Sequence, residues 1–364
     1  MATTNKLALI LAFALPVLAQ EAPLDPARAF QVTLPAGAPV SLASADWDQS
    51  KATARGGALL VDLHATLHLR NEGPRRIRAV SLQVIAQEVT PGGRGSVTVP
   101  SLDVAPGEQF SVRIDLRLMR PLTRAGGALV EVSLDGLLFD DLTFYGPNRL
   151  NSRRALLAWE LEARRDRRLL LTALTQGGRE RLQEELIQAS AHLTEQSGVE
   201  MRVARATNQP AARELAFAFL ALPGAPLELN HGTAWVAPGE ARAPRIVVTN
   251  RARRAVRSFE IGWIVQDVSG RQFVAGALPA EMEIPPGQEA VISRDRTLRF
   301  TRAGQPPLQI AALSAYVAMA EFDNGEVWVP VRGAPALSGE LRRLVELYRR
   351  HGLNAVVAQL RRFE

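Results

Sequence analysis

His64 and His68 stand four residues apart, and imidazoles at a fixed spacing can hold a metal ion. The surrounding pattern argues against it. Leu59, Val61, Leu63, Ala65, Leu67 and Leu69 alternate with Leu60, Asp62, His64, Thr66, His68 and Arg70, which is the period of a strand. A rise of about 3.3 Å per residue puts the two imidazoles about 13 Å apart, too far for one ion bound at about 2 Å. His192, His231 and His351 have no ligand spacing. Asp140, Asp141 and Asp323 are carboxylates that could do acid–base work, but they follow Phe139 and Phe322 where a turn is expected, and Asp is a turn former. Gly92-Gly93-Arg94-Gly95 is glycine-rich, yet no Lys-Ser/Thr follows it, so it reads as a link between strands and not as a phosphate loop. There is no Cys and no G-x-S-x-G. No catalytic, cofactor-binding or metal-binding residue is expected, and the chain is not read as an enzyme.

The 364 residues carry a formal charge of +6, with a pI near 10.5. Lys6 and Lys51 are the only lysines among 43 basic residues. The basic residues are interleaved with acidic ones. Arg164-Arg165-Asp166-Arg167-Arg168 follows Glu160 and Glu162, and Arg179 and Arg181 sit among Glu180, Glu184 and Glu185. Mixed signs on a helix predict a solvated face with weak ion pairs, and this argues against nucleic acid as a partner. Trp47, Trp159, Trp235 and Trp328 could stack on sugars. Trp47 and Trp235 recur at matched places, which favours a shared core position.

The elements that must position these residues are set by a repeat. Residues 59–89 read as strand, turn, strand, and residues 245–268 are a diverged copy. Matching Asn71 to Asn250 brings Ile77 onto Val256, Arg78 onto Arg257, Leu82 onto Ile261 and Gln87 onto Gln266. Val80, Leu82, Val84 and Ala86 share one face, as do Phe259, Ile261, Trp263 and Val265. Upstream, Gly37-Ala38-Pro39 matches Gly224-Ala225-Pro226. Downstream, Ala105-Pro106-Gly107-Glu108 matches Pro285-Pro286-Gly287-Gln288, and Phe139-Asp140-Asp141 matches Phe322-Asp323-Asn324. The strands are short and broken by turn signals such as Pro91-Gly92-Gly93, which predicts β-sandwiches. Asp323-Asn324-Gly325 predicts a hairpin.

Two stretches change character. Ser152 suits a helix N-cap, Leu156, Trp159, Ala163, Leu170 and Leu174 follow helical spacing, and Gly177-Gly178 breaks it before Leu182, Leu186, Ala189 and Leu193. At the other end Leu341, Leu344, Val345 and Tyr348 precede a break at Gly352, then Leu353, Val356, Val357 and Leu360 resume. Leu170, Gly178, Leu182 and Leu186 fall opposite Leu344, Gly352, Val356 and Leu360. Residues 215–222 are apolar and fit neither period.

An apolar strand ending in Asn, a polar turn, a strand with inward Trp263 and a later Pro-Gly-Glu or Pro-Gly-Gln turn resemble the immunoglobulin- or fibronectin-like β-sandwich domains of bacterial exported proteins. Trp263 resembles their strand-C tryptophan. The likeness is architectural and implies no catalytic residue. The fold class expected is mainly β with α: two duplicated Ig-like β-sandwich domains, each followed by a helical hairpin. The parts are a signal peptide at 1–19, a lead-in at 20–36 with a strand around Phe30, Val32 and Leu34, sandwich one at 37–147, a hairpin at 148–198, a connector at 199–223, sandwich two at 224–332 and a C-terminal hairpin at 333–364.

The address follows from the first 19 residues. Lys6, a short apolar run from Leu7 to Leu18 and small residues before Gln20 make a signal peptide cleaved after Ala19. The run is shorter than the roughly 20 residues a span needs. The mature chain is expected in the periplasm or secreted, with no membrane span and no cofactor. The function expected is an exported non-catalytic binding or scaffolding protein of the cell envelope, whose partner is another envelope protein. The alternative is a periplasmic chaperone that binds clients by edge-strand addition. The Arg-rimmed tail at 338–364 suits either a membrane surface or packing on protein. Its narrow stripe favours packing, with Leu344, Tyr348, Val356 and Leu360 buried.

Overall fold

The computed structural model describes residues 21–23, 26–47, 49–88, 91–122, 127–196, 198–204, 213–293, 297–331 and 333–363. The expected signal peptide lies outside them. In chain order the elements are β1 (Glu21–Pro23), α1 (Pro26–Ala29), β2 (Phe30–Thr33), β3 (Val40–Asp46), β4 (Lys51–Arg55), β5 (Ala58–Asn71), β6 (Ile77–Ile85), β7 (Arg94–Val99), β8 (Gln109–Pro121), β9 (Val130–Phe139) and β10 (Phe144–Tyr145). Then come α2 (Ser152–Gln196), β11 (Glu200–Ala204), β12 (Arg213–Ala216), β13 (Ala218–Phe219), β14 (Leu227–Ala237), β15 (Glu240–Asn250), β16 (Val256–Asp267), β17 (Gln272–Ile284), β18 (Glu289–Ser293), β19 (Thr297–Thr301), β20 (Ile310–Phe322), β21 (Val327–Trp328) and α3 (Gly339–Arg361). The described residues are mainly β, with 49% strand in several sheets and two long helices.

The chain divides into two compact units. The first takes the described residues up to Pro74, Ser81–Thr98 and Val104–Asp135, and the second takes Arg75–Val80, Val99–Asp103 and the residues from Gly136 onward. In the first unit β5 is central. β8 pairs along its whole length on one side, from Ala58 opposite Pro121 to Arg70 opposite Gln109. β4 and β3 pair with its two ends, and β1 pairs with β4. The alternation in β5 is realised: Val61, Leu63, Leu67 and Leu69 are fully buried, while His64 and Arg70 are exposed. A second sheet of this unit holds β7, the later residues of β6, the start of β9 and β2. β2 runs parallel to β9 with Phe30 opposite Val130, so the lead-in is part of this sheet. Phe30 stacks on Trp47 at 4.3 Å between ring centroids.

In the second unit one sheet has the order β11–β19–β15–β14–β12 with β18 on β15, and another has β13–β20–β16–β17 with β21 on β20. Their core holds Phe259, Ile261, Trp263 and Val265 with Val248, Leu298, Phe300 and Leu313. Phe217 meets Trp263 edge to face at 5.1 Å. The ambiguous run at 215–222 supplies the end of β12 and the two-residue β13, too short for either period to show.

Asn71 and Asn250 end β5 and β15 and are fully buried. Asn71 N–H donates to Glu108 O at 3.0 Å, and Asn71 O accepts from Gly107 N at 2.8 Å. Its Nδ2 donates to Val104 O at 3.2 Å, and its Oδ1 accepts from Gly73 N at 3.0 Å. Asn250 repeats each bond. Its N–H donates to Gln288 O at 3.0 Å, its O accepts from Gly287 N at 2.9 Å, its Nδ2 donates to Ile284 O at 2.7 Å, and its Oδ1 accepts from Ala252 N at 2.9 Å. Glu72 N donates to Pro39 O and Arg251 N to Pro226 O.

Where hairpins were expected, α2 and α3 each consist of two helical segments meeting at one glycine, with no intervening loop. Gly178 has φ 72°, ψ −164° and Gly352 has φ 76°, ψ −178°, a region open only to glycine. Leu170, Leu182 and Leu186 of α2 pack in one cluster with Leu344, Val356 and Leu360 of α3, all six at most 1% exposed. Tyr348 is partly buried against it. The tail therefore packs on the central helix. Ser338 caps α3 by accepting from Leu341 N at 3.1 Å, and its hydroxyl donates to Asp166 of α2.

Candidate functional site

The residues singled out for chemistry stand apart in the fold. His64 Nδ1 lies 2.8 Å from Asp115 Oδ1 on the open face of the β5–β8 pair, with both side chains 44% exposed. The Arg113 guanidinium first, then His64, holds the Asp115 carboxyl below its usual range. His68 Nδ1 lies 2.9 Å from Ser111 Oγ. Among the described residues no group of three His, Cys, Asp or Glu side chains could hold a metal ion.

Asp141 accepts from Thr143 N at 2.9 Å and from its hydroxyl, which closes a turn and takes the carboxyl down to about 2. Asn324, next to Asp323, accepts from Glu326 N at 3.1 Å in the same manner. Gly93 O accepts from both Ala86 N and Gln87 N, and a Cβ at Gly93 would collide with the Gln87 carbonyl. Close approach of two backbones accounts for that glycine.

Two expectations need correction. Trp47 is 9% exposed, but Trp235 is 50% exposed, on β14 opposite Glu214 of β12, so the two do not share a core position. The charged residues of α2 divide: Arg181 pairs with Glu184 and Glu185 on an exposed face, as expected, but the stretch at 160–168 is not a solvated face. Glu160, Asp166 and Arg167 are 3–4% exposed. Glu160 and Arg167 lie in helical register with buried Leu156, Ala163 and Leu170, so the stripe that turns inward carries them with it. That register was the available signal.

Around them lies an open pocket of about 510 Å³ in the second unit, lined in part by Arg78, Glu160, Arg164, Arg167, Arg168 and Phe363. Glu160 Oε1 accepts from Arg164 Nε at 2.8 Å and Arg167 Nη2 at 2.9 Å. Arg78 Nη1 donates to Asp103 Oδ1 at 2.6 Å. The Phe363 ring lies 3.9 Å from the Arg167 guanidinium and 5.0 Å from that of Arg78. Burial pushes the Arg78 guanidinium below its usual range; Asp103 and Glu160 oppose that shift, and Arg167 and Arg164 add a smaller repulsion. Three buried atoms have no hydrogen-bond partner here: Arg78 Nε, Glu160 Oε2 and Arg167 Nη1, the last lying 3.9 Å from Glu340 Oε1, too far for a hydrogen bond.

A second polar group surrounds Glu321, whose side chain is 3% exposed. Arg257 lies 2.9 Å from it, Arg153 3.5 Å and Arg154 3.6 Å, and Ser258 Oγ donates to it at 3.2 Å. Arg154 also binds Glu281 at 2.6 and 3.1 Å. Nearby, burial raises the Glu162 carboxyl to about 7, with Asp166 and Glu260 adding to it and Arg165 and Arg342 opposing. Burial also takes the Tyr316 hydroxyl up to about 12.

The chain matches no protein-family model and no curated protein. Among solved structures it is similar to a β-glucosidase from Kluyveromyces marxianus, at 8% identity over 71% of this chain and 45% of that one, with a TM-score of 0.17. It spans less than half of that glucosidase. A bacterial adhesin from Mobiluncus mulieris overlaps at 9% identity, over 76% of this chain and 97% of that one, with a TM-score of 0.16. The red sea bream transglutaminase overlaps at 10% identity, over 80% of this chain and 31% of that one, with a TM-score of 0.13. Likenesses at these scores assign no function.

Proposed function

We propose that this chain is an exported, non-catalytic binding or scaffolding protein of the cell envelope, built from two duplicated immunoglobulin-like β-sandwiches. On this reading the segments at 37–147 and 224–332 are the copies, each followed by a pair of helical segments, and the address is periplasmic or secreted. The matched hydrogen bonds of Asn71 and Asn250 support the duplication. The observation that carries the function is the fate of the buried carboxylates. Glu321 is held by Arg257, Arg153 and Arg154, Glu240 by Arg242 and Arg299, Asp103 by Arg76 and Arg78, and Glu340 by Arg343. Carboxylates tied this way neutralise arginines and fix one element to another, which serves a rigid frame and not proton transfer. The partner is another envelope protein; nucleic acid is not.

The runner-up is a chaperone that binds clients by edge-strand addition. The 13-residue strands β8 and β17 favour it, because β8 pairs only with β5 and β17 ends its strand order among the described residues. Cross-linking in intact envelopes, followed by mass determination of the purified complex, separates the two. One partner at fixed stoichiometry supports the scaffold. Suppression of client aggregation without a fixed partner supports the chaperone. If neither result is obtained, both readings fail.

A further inference from the structure

We infer that the pocket bounded by Arg78, Arg164, Arg167, Arg168, Glu160 and Phe363 is a binding site for hydrogen phosphate. Buried polar atoms are almost always partnered, and the exceptions mark a missing water, ion or ligand. Of six such atoms among the described residues, three belong to side chains that line this one pocket, and they differ in kind. Arg78 Nε and Arg167 Nη1 are donors, and Glu160 Oε2 is an acceptor that carries no proton when ionised. A ligand that satisfies all three must bring oxyanion acceptors and one hydroxyl donor together. Hydrogen phosphate has both. Sulfate offers only acceptors and would set an oxygen against Glu160 Oε2.

The wider charge agrees. Arg164 and Arg168 line the same pocket, and Arg168 is exposed at its rim. The repulsion that Arg167 and Arg164 exert on the buried Arg78 is relieved by an anion between them. The Phe363 ring covers the guanidiniums of Arg167 and Arg78, and in this proposal it acts as the lid that an entering phosphate displaces.

The test is calorimetric titration of the full exported chain at pH 7 and constant ionic strength. Inorganic phosphate and sulfate are the probes. Phosphate is expected to bind at least about tenfold more tightly than sulfate, the factor that one charge-assisted hydrogen bond supplies. Phe363→Ala, which removes the lid, should tighten phosphate binding and keep that preference. Arg168→Gln, an exposed change that leaves the fold intact by circular dichroism, should weaken it. Equal binding of the two anions, or binding of neither by both the wild type and Phe363→Ala, would overturn the assignment.

Discussion

Asn71 and Asn250 make the same four hydrogen bonds at the ends of β5 and β15, and each spans from its own turn to the strand end that precedes a Pro-Gly turn. Replacing either by Ala strands a buried carbonyl and a backbone N–H, buried at Gly73 and half-buried at Ala252. Each change is expected to cost about 1–3 kcal/mol in chemical denaturation. A cost near zero at one site and a large one at the other would show that the two corners are not equivalent.

The two faces of β5 give a second prediction. Leu67→Ala opens a cavity at a fully buried site and should cost about 2–5 kcal/mol, whereas His68→Ala should change stability by less than about 0.5. Urea midpoints of the two variants decide it, and equal losses would refute the assignment of faces.

That alternation was legible because β5 is a half-buried strand, so its period survives in the residues. The glycines at 178 and 352 were legible as breaks for a related reason: an interruption of the helical stripe is visible without knowing the angle it makes. The pocket was not legible. Glu160 and Arg167 are buried by what packs over α2, and Arg78 and Phe363 come to them from distant parts of the chain. Ionic runs look alike in sequence whether water or protein covers them. Trp235 misled for the converse reason, since a matched position does not fix a matched exposure.

Glu162 predicts a pH effect. Its carboxyl ionises near 4.5 when unfolded and near about 7 when folded, because burial disfavours the charge. Between those values the folded state holds the extra proton, so stability falls as pH rises and levels off above about 7. Glu162→Gln should flatten that part of a plot of Tm against pH. An unchanged slope would move the origin to another group.

Gly352 has open space around its α-carbon, so a methyl group there meets no neighbour and tests the backbone alone. Gly352→Ala is expected to cost about 1–3 kcal/mol from conformational strain. A neutral result by thermal denaturation would mean that α3 can straighten at that point.

Removal of residues 339–364 uncovers Leu170, Leu182 and Leu186. The shortened protein should melt at lower temperature and bind an apolar dye. If it melts unchanged and instead loses affinity for anionic vesicles, the tail is a membrane element.

The cluster shared by α2 and α3 also dictates an order of events during synthesis. Ribosomes release the chain from its N-terminus, and every strand from β11 to β21 emerges before the first residue of α3. Throughout that interval the Leu170–Leu182–Leu186 stripe lacks Leu344, Val356 and Leu360, the buried α3 residues that pack against it. A nascent or stalled polypeptide is therefore adhesive until α3 arrives, and a chain interrupted between β21 and α3 would leave the strands attached to an uncovered apolar helix.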